Sequence, residues 1–113
     1  GRSLSGHTRV IRQAVAYIRS HFLQPVSVDF LIQQSGLSRS AFHRRFMEEV
    51  GLSPGQLVTS LRIEQAKNLL SVTHTPVGEV GALCGYPDHV YFSRIFRQHT
   101  GMSPSDFRRL ADR

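Results

Sequence analysis

Two arginines, Arg44 and Arg94, occupy equivalent places in two segments that repeat each other at an offset of fifty residues. Each stands between two phenylalanines in the motif Phe-x-Arg-x-Phe, at 42–46 and at 92–96. A guanidinium group presents its N–H donors as a planar fork, which matches paired acceptors such as phosphate oxygens or the O6 and N7 atoms of guanine. Two such groups in equivalent positions indicate one kind of surface that is used twice.

The repeat extends on both sides of these arginines. Downstream, Gly51-x-Ser53-Pro54 returns at the same offset as Gly101-x-Ser103-Pro104. Upstream the offset becomes forty-nine, and the equivalent pairs are Val28/Val77, Leu31/Val80 and Gly36/Gly85. The second copy therefore contains one extra residue, in the turn between Gly85 and Phe92.

Composition favours a small basic domain. The 113 residues carry 14 Lys+Arg against 8 Asp+Glu, a formal charge of +6, and a pI near 10.7 attracts polyanions. This length suits one compact domain, or two very small ones that share a core. Lone Cys84 excludes an internal disulfide and fits a reducing compartment, so a cytoplasmic protein is predicted.

Neither a membrane span nor a signal peptide is apparent in the sequence, since no apolar run approaches the roughly 20 residues that a spanning helix needs. The chain begins at Gly1 without a methionine. We therefore expect a piece cut from a longer protein, in which residues 1–6 are the end of a linker.

Helical periodicity and helix-end signals predict an all-α fold of about seven helices. Ser27, Ser38 and Ser53 are suited to N-caps, and Gln56 completes a capping box with Ser53. Gly51 suits the left-handed residue after a helix. The helices are expected at about 7–22, 28–35, 39–50, 54–71, 76–84, 89–100 and 104–110.

Each repeat thus consists of a short helix, a glycine-containing turn and a longer helix, the pattern of a helix-turn-helix. The longer helix must bury one side and expose the other. The residues predicted to face the core are Phe42, Phe46, Val50, Phe92 and Phe96. Those predicted to face outward are Ser40, His43, Arg44 and Met47 in the first copy, and Val90, Ser93, Arg94 and Arg97 in the second.

Several motifs at fixed spacing resemble the AraC/XylS-type transcription regulators over roughly residues 8–110. They are Gly36-Leu37-Ser38, Phe42-x-Arg44-x-Phe46, Gly51-x-Ser53-Pro54, Arg62 with Ala66-x-x-Leu69-Leu70, and the second unit from Val77 to Pro104. The resemblance implies the C-terminal DNA-binding domain of a bacterial regulator. It divides the chain into a first helix-turn-helix subdomain at 7–52, a connecting helix at 53–72 and a second subdomain at 73–113.

The same resemblance implies which side chains contact DNA. Base contacts are expected from Ser40, His43 and Arg44 in the first unit and from His89, Val90, Ser93 and Arg94 in the second. Arg39, Arg45 and Arg97 are expected to contact phosphate or water, and Ser38 is grouped with them as a phosphate contact. Because the two sets differ, we expect two unlike half-sites in direct orientation.

Two positions depart from what the resemblance leads us to expect. Ile32 stands where the family usually has a small residue, which predicts looser or shifted packing in the first subdomain. Val90 is apolar at an expected contact point, where it would touch a thymine methyl group or nothing.

Other classes of function compete with DNA binding. A protein-interaction module would bind RNA polymerase or an effector-binding or dimerisation domain outside this chain, and an activator needs both kinds of contact. An enzyme and a membrane-surface helix are disfavoured. Six histidines show no metal-ligand spacing, so no metal or other cofactor is expected. Cys84 is interpreted as a buried small hydrophobe, with a redox switch as the alternative.

Overall fold

The computed structural model describes residues 6–112, with side chains from residue 8 onward, and contains seven α helices and no β strand in that range. The helices are α1 (Gly6–His21), α2 (Val28–Ser35), α3 (Arg39–Val50), α4 (Pro54–Val72), α5 (Val77–Leu83), α6 (His89–Thr100) and α7 (Pro104–Ala111). The predicted all-α class is confirmed, and the predicted bounds hold to within about one residue. The predicted linker end, 1–6, lies outside the described residues except for Gly6, where α1 already begins.

Side chains and glycines mark the helix ends where the sequence predicted them. Ser53 and Gln56 form a reciprocal capping box, because the Ser53 N–H donates to Gln56 Oε1 at 2.9 Å while the Gln56 N–H donates to Ser53 Oγ at 3.1 Å. Gly51 and Gly101 close α3 and α6 with φ of 82° and 84°, a left-handed conformation that glycine adopts without steric cost. α3 and α6 thus end in the same way.

The chain forms two compact units, residues 1–59 and 60–113, and the division falls within α4. Unit 1 contains α1, the helix-turn-helix α2–α3 and the first turns of α4. Unit 2 contains the rest of α4, the helix-turn-helix α5–α6 and α7. Each unit is therefore a helix-turn-helix flanked by one preceding helix and one following helical segment.

The core of unit 1 collects apolar side chains from all four of its helical segments. Its buried members are Ile11, Ala14, Ile18, Leu31, Ile32, Phe42, Phe46 and Leu57. Ile32 is only 8% exposed, so the large side chain that distinguishes this sequence is packed inside the subdomain. Leu57 lines the same groove as Ile11 of α1 and Val50 of α3, so the start of α4 lies beside these two helices.

The core of unit 2 repeats this plan. Its buried members are Ile63, Ala66, Leu70, Val80, Cys84, Tyr86, Phe92 and Phe96, and Phe107 of α7 packs against them. The leading helices match at an offset of fifty-two, which pairs Ile11/Ile63, Ala14/Ala66 and Ile18/Leu70. Phe107 in turn corresponds to Leu57 at the offset of fifty. The duplication therefore covers the supporting helices as well as the helix-turn-helix.

No helix among the described residues is long and apolar enough to cross a membrane.

Candidate nucleic-acid interface

α3 is held with one face inward and one face outward. Phe42 and Phe46 are completely buried, and their rings lie 5.7 Å apart. At the start of the helix, Ser38 Oγ accepts a hydrogen bond from the Ala41 N–H at 3.2 Å. Because the two phenylalanines fix the rotation of the helix, the opposite face is exposed. The exposed side chains on that face are Ser40, His43, Arg44 and Met47, as predicted.

Within this face the His43 ring lies edge-on to Phe42, with their centroids 5.8 Å apart. The ring thus rests on a fixed core residue while it remains exposed. Arg44 follows it along the helix and extends from the same exposed side. The outer face of α3 therefore offers a hydroxyl, an imidazole and a guanidinium within two helical turns.

A buried phenylalanine pair also fixes the orientation of α6. Phe92 and Phe96 are completely buried, and the Asp88 carboxylate caps the helix by accepting from the Tyr91 N–H at 3.0 Å. His89, Val90, Arg94 and Arg97 are exposed, and Ser93 is partly buried. Val90 is 75% exposed, so the outer face of α6 carries an apolar side chain more exposed than Met47 of α3, which is 46% exposed. Of the eight residues predicted to face outward on α3 and α6, seven are exposed and Ser93 is half-buried.

The residues predicted to contact phosphate lie in different environments. Arg39 forms an exposed ion pair with Asp29 of α2, which ties the two helices of the first helix-turn-helix together. Arg45 is half-buried, and its buried Nε has no hydrogen-bond partner within residues 6–112. Arg97 is exposed near the end of α6. The Ser38 oxygen caps α3 as an acceptor, and its O–H can still donate to a phosphate oxygen.

Tyr91 is a member of the α6 surface that the sequence analysis did not identify. Its ring is 42% exposed, and Arg94 Cζ lies 5.4 Å from the ring centroid, within cation–π range. The i,i+3 spacing of an aromatic and an arginine on one helix was the available signal.

Arg62 supports the turn that leads into α6. Its Nη1 donates to the Gly85 carbonyl oxygen at 3.3 Å, and its Cζ lies 5.1 Å from the centroid of the Tyr86 ring. Gly85 has a φ of 93°, and a Cβ atom there would come within 2.8 Å of Arg62 Cζ. The turn is therefore built from a glycine that admits the guanidinium and a tyrosine that stacks with it.

Arg108 fastens α7 to the end of α4. Its Nε donates to the Leu70 carbonyl at 3.2 Å, and its Nη2 donates to the Thr73 carbonyl at 3.4 Å. Carbonyl groups at a helix C-terminus lack hydrogen-bond partners within the helix. A cation there donates to them and interacts favourably with the negative end of the helix dipole. This contact keeps Phe107 against the ring of Phe96, where their centroids are 5.5 Å apart.

Cys84 lies in the core, as predicted for a small hydrophobe. It is completely buried, and burial raises the pKa of its thiol from 9.0 to about 11, while the charge of Arg62 acts in the opposite direction. The thiol is therefore protonated at neutral pH, which disfavours the redox alternative. In the part of the chain that the structure describes, no group of three or more His, Cys, Asp or Glu side chains is arranged to hold a metal ion.

A helix-turn-helix domain family model matches residues 31–110. Among curated proteins, the chain is 38% identical over 99 residues to the arabinose operon regulatory protein of Escherichia coli and 34% identical over 96 residues to the xylose operon regulatory protein of the same species. These matches include 87% and 85% of this chain but only 34% and 24% of the two relatives, so the chain spans about a quarter to a third of their length.

Two solved structures extend the comparison. The C-terminal domain of AraT, a response regulator from Geobacillus stearothermophilus, superposes with a TM-score of 0.83 at 32% identity, covering 94% of this chain and 88% of that one. The DNA-binding domain of AdpA, solved in complex with a target DNA, superposes with a TM-score of 0.80 at 31% identity, covering 88% of this chain and 90% of that one. The relatives are transcription regulators, in agreement with the prediction that the chain is not an enzyme. The chain belongs to the AraC/XylS-type family of helix-turn-helix domains.

Proposed function

We propose that this chain binds double-stranded DNA sequence-specifically as part of a bacterial transcription regulator. In this proposal α3 and α6 enter successive major grooves of one asymmetric site. The observation that carries it is the equivalent placement of Arg44 and Arg94, each exposed on a helix whose opposite side is fixed by a buried phenylalanine pair. An excess of six positive charges supports attraction to the phosphate backbone.

Base reading is assigned to the outer faces of the two helices. In α3 the contacting residues are Ser40, His43 and Arg44, and in α6 they are His89, Val90, Ser93 and Arg94. An arginine that approaches along the major groove can donate two hydrogen bonds to one guanine, whereas Val90 can contact a thymine methyl group. The two helices therefore read different base-pair sequences.

Backbone contacts are assigned to Ser38, Arg39, Arg45 and Arg97. These contacts fix the register of the protein on DNA without reading sequence. Arg39 would interact with a phosphate as well as with Asp29. The Arg39–Asp29 ion pair is exposed, and an exposed ion pair exchanges its partners easily. Arg45 is half-buried and its Nε is inaccessible, so its phosphate contact is assigned to the part of the side chain that stays exposed.

The wider protein is also part of the proposal. We assign residues 7–52 and 73–113 to two DNA-contacting subdomains and 53–72 to their connecting helix, in a cytoplasmic protein. The relatives are about three to four times as long as the matched segment. An effector-binding or dimerisation domain outside this chain is proposed on this basis. RNA polymerase is proposed as a partner because a transcription activator needs a protein contact as well as DNA.

Selection of bound sites from random double-stranded DNA tests the proposal directly. We expect the purified 113-residue chain to enrich one site with two unlike half-sites in direct orientation, roughly 10 base pairs apart from centre to centre. The matched control is a chain with Arg44→Ala and Arg94→Ala together, which should enrich no defined sequence. Enrichment of a palindrome, or of nothing by the unaltered chain, would overturn the assignment.

A further inference from the structure

We infer that Tyr91 is a positioning residue for Arg94, and that its ring sets the conformation with which this guanidinium meets its base pair. The inference rests on the proposed function, because it assumes that Arg94 reads DNA. It adds a specificity-determining residue that makes its contribution through another side chain. The reading arginine of α3 has no counterpart to it.

Tyr91 and Arg94 are in contact on the surface of α6. Arg94 Cζ lies 5.4 Å from the centroid of the Tyr91 ring, and the two residues are one turn apart on α6. Both side chains are exposed. At exposed sites a cation–π contact favours the paired arrangement about two- to fivefold. The ring therefore populates one orientation of the guanidinium before any ligand arrives.

The Tyr91 ring is anchored by Tyr86. Tyr91 packs against Tyr86 with the ring centroids 5.8 Å apart, and Tyr86 is only 8% exposed. Tyr86 in turn carries Arg62, whose Nη1 donates to the Gly85 carbonyl. Arg62, Tyr86, Tyr91 and Arg94 thus form a series of contacts, in the order cation, ring, ring, cation, from the interior of unit 2 to its surface. Because one end of this series is buried, the Tyr91 ring is a fixed support for Arg94.

The contact with Tyr91 affects how Arg94 recognises a base pair. An arginine side chain has many rotamers and loses this freedom when it docks against a base edge. A guanidinium that is already held near its bound orientation loses less, and a wrong base pair cannot gain by a rearrangement of the side chain. Tyr91 should therefore sharpen discrimination at the base pair that Arg94 contacts.

The first unit provides an internal comparison. At the repeat offsets, Ala41 occupies the place of Tyr91 and Leu37 occupies the place of Tyr86. Neither residue has an aromatic ring, so Arg44 cannot be supported in this way. We therefore expect Arg94 to discriminate more sharply than Arg44, although the two belong to the same repeated motif.

The test uses the 113-residue chain and the DNA site that it selects. The base pair at which Arg94→Ala relaxes the preference of the protein is defined as the Arg94-dependent base pair. Tyr91→Leu removes the aromatic face but keeps apolar bulk, and Tyr91→Phe keeps the face but removes the hydroxyl. We expect Tyr91→Leu to reduce discrimination at that base pair about two- to fivefold. Tyr91→Phe should retain it, and Tyr91→Leu should leave the Arg44-dependent base pair unchanged.

A double-mutant cycle separates positioning from direct contact. With Arg94→Ala already present, Tyr91→Leu should have no further effect on discrimination. The inference is overturned if the loss persists in that background, or if Tyr91→Leu weakens matched and mismatched sites by the same factor. Loss of discrimination in Tyr91→Phe as well would instead assign the role to the hydroxyl.

A measurement without DNA distinguishes failure of this inference from failure of the proposed function. The aromatic ring should shift the NMR signals of the Arg94 side-chain protons upfield in the free protein, and Tyr91→Leu should abolish the shift. Retention of the shift in Tyr91→Leu would overturn the contact, whatever the DNA result. If instead the shift behaves as expected but Arg94→Ala leaves base preference intact, the base-reading role of Arg94 is wrong. Thermal unfolding of each variant verifies that unit 2 is folded, and Tyr91→Gln replaces Tyr91→Leu if the latter is unfolded.

Discussion

Gly81 of α5 lies directly against the ring of Phe92 of α6, so closely that a Cβ atom on Gly81 would stand 2.7 Å from Phe92 Cδ2. This contact sets the distance between the two helices of the second helix-turn-helix. Phe92 is completely buried and also fixes which face of α6 is exposed. The glycine therefore affects the candidate interface through packing, although it lies outside that interface.

The first prediction follows from this contact. Gly81→Ala should lower the free energy of unfolding by up to about 2 kcal/mol, because overpacking at the Phe92 ring costs about 1–3 kcal/mol and alanine regains only roughly 1 kcal/mol over glycine within a helix. Gly78→Ala is the matched control in the same helix. Its added Cβ would meet only His89 Nδ1, at 3.8 Å, so this variant should be neutral or slightly more stable. Urea unfolding measures the stability of both variants. Equal changes in the free energy of unfolding for Gly81→Ala and Gly78→Ala would contradict the prediction.

The second prediction concerns Cys84. Its pKa of about 11 lies above the usual 9.0 because burial disfavours the thiolate. A raised pKa in the folded state stabilises the fold fully below the unfolded value, and this contribution is lost as pH rises through the folded value. Stability should therefore fall between about pH 9 and pH 11, by an amount on the order of 2 kcal/mol. The fall is measured by urea unfolding at several pH values.

Cys84→Ala provides the control for that measurement. It should be less stable than the unaltered chain at pH 7, because it leaves a small cavity, but it should lack this part of the pH dependence. Thiol labelling gives a second readout. In the native chain at pH 7.5 the label should react far more slowly than in urea, and equally fast labelling in both would show that Cys84 is accessible.

Helix positions could be predicted from the sequence because local signals determine them. Ser27, Ser38 and Ser53 cap helices through contacts within four residues, and Gly51 closes α3 through its own backbone conformation. The inward faces of α3 and α6 could be predicted for the same reason, since a phenylalanine pair four residues apart determines the rotation of its own helix. These features depend on residues that are near one another in the sequence.

Contacts between side chains were not predictable in the same way. The Asp29–Arg39 ion pair and the half-burial of Arg45 depend on neighbours from other helices, and the Tyr91–Arg94 contact depends on the rotamers of two side chains one turn apart on α6. Arg62 was identified as part of a motif, but its hydrogen bond to Gly85 spans twenty-three positions and needs the folded turn. Spacing along the chain carries little information about such contacts.

The third prediction concerns the two reading arginines. Arg44→Ala should relax base preference in one half of the site and Arg94→Ala in the other, each at a cost of about 1–3 kcal/mol for the matched base pair. Both arginines are exposed, so neither change should alter stability appreciably. Binding to sites with single base-pair changes measures the effect. Unchanged affinity and preference in both variants would show that the reading face is assigned wrongly.

The fourth prediction distinguishes backbone contact from base reading and from a purely protein-binding role. If about 5–8 phosphates are neutralised, log affinity for DNA should fall against log salt with a slope of about −5 to −7. Arg97→Gln should weaken binding to all sequences alike and make the slope shallower by about 1, since it removes one phosphate contact. Arg109→Gln is the control of equal charge change, because it also removes one positive charge but lies on α7, outside both helix-turn-helix motifs. A slope near zero would favour a module that binds proteins, and equal effects of the two changes would show that Arg97 acts only through net charge.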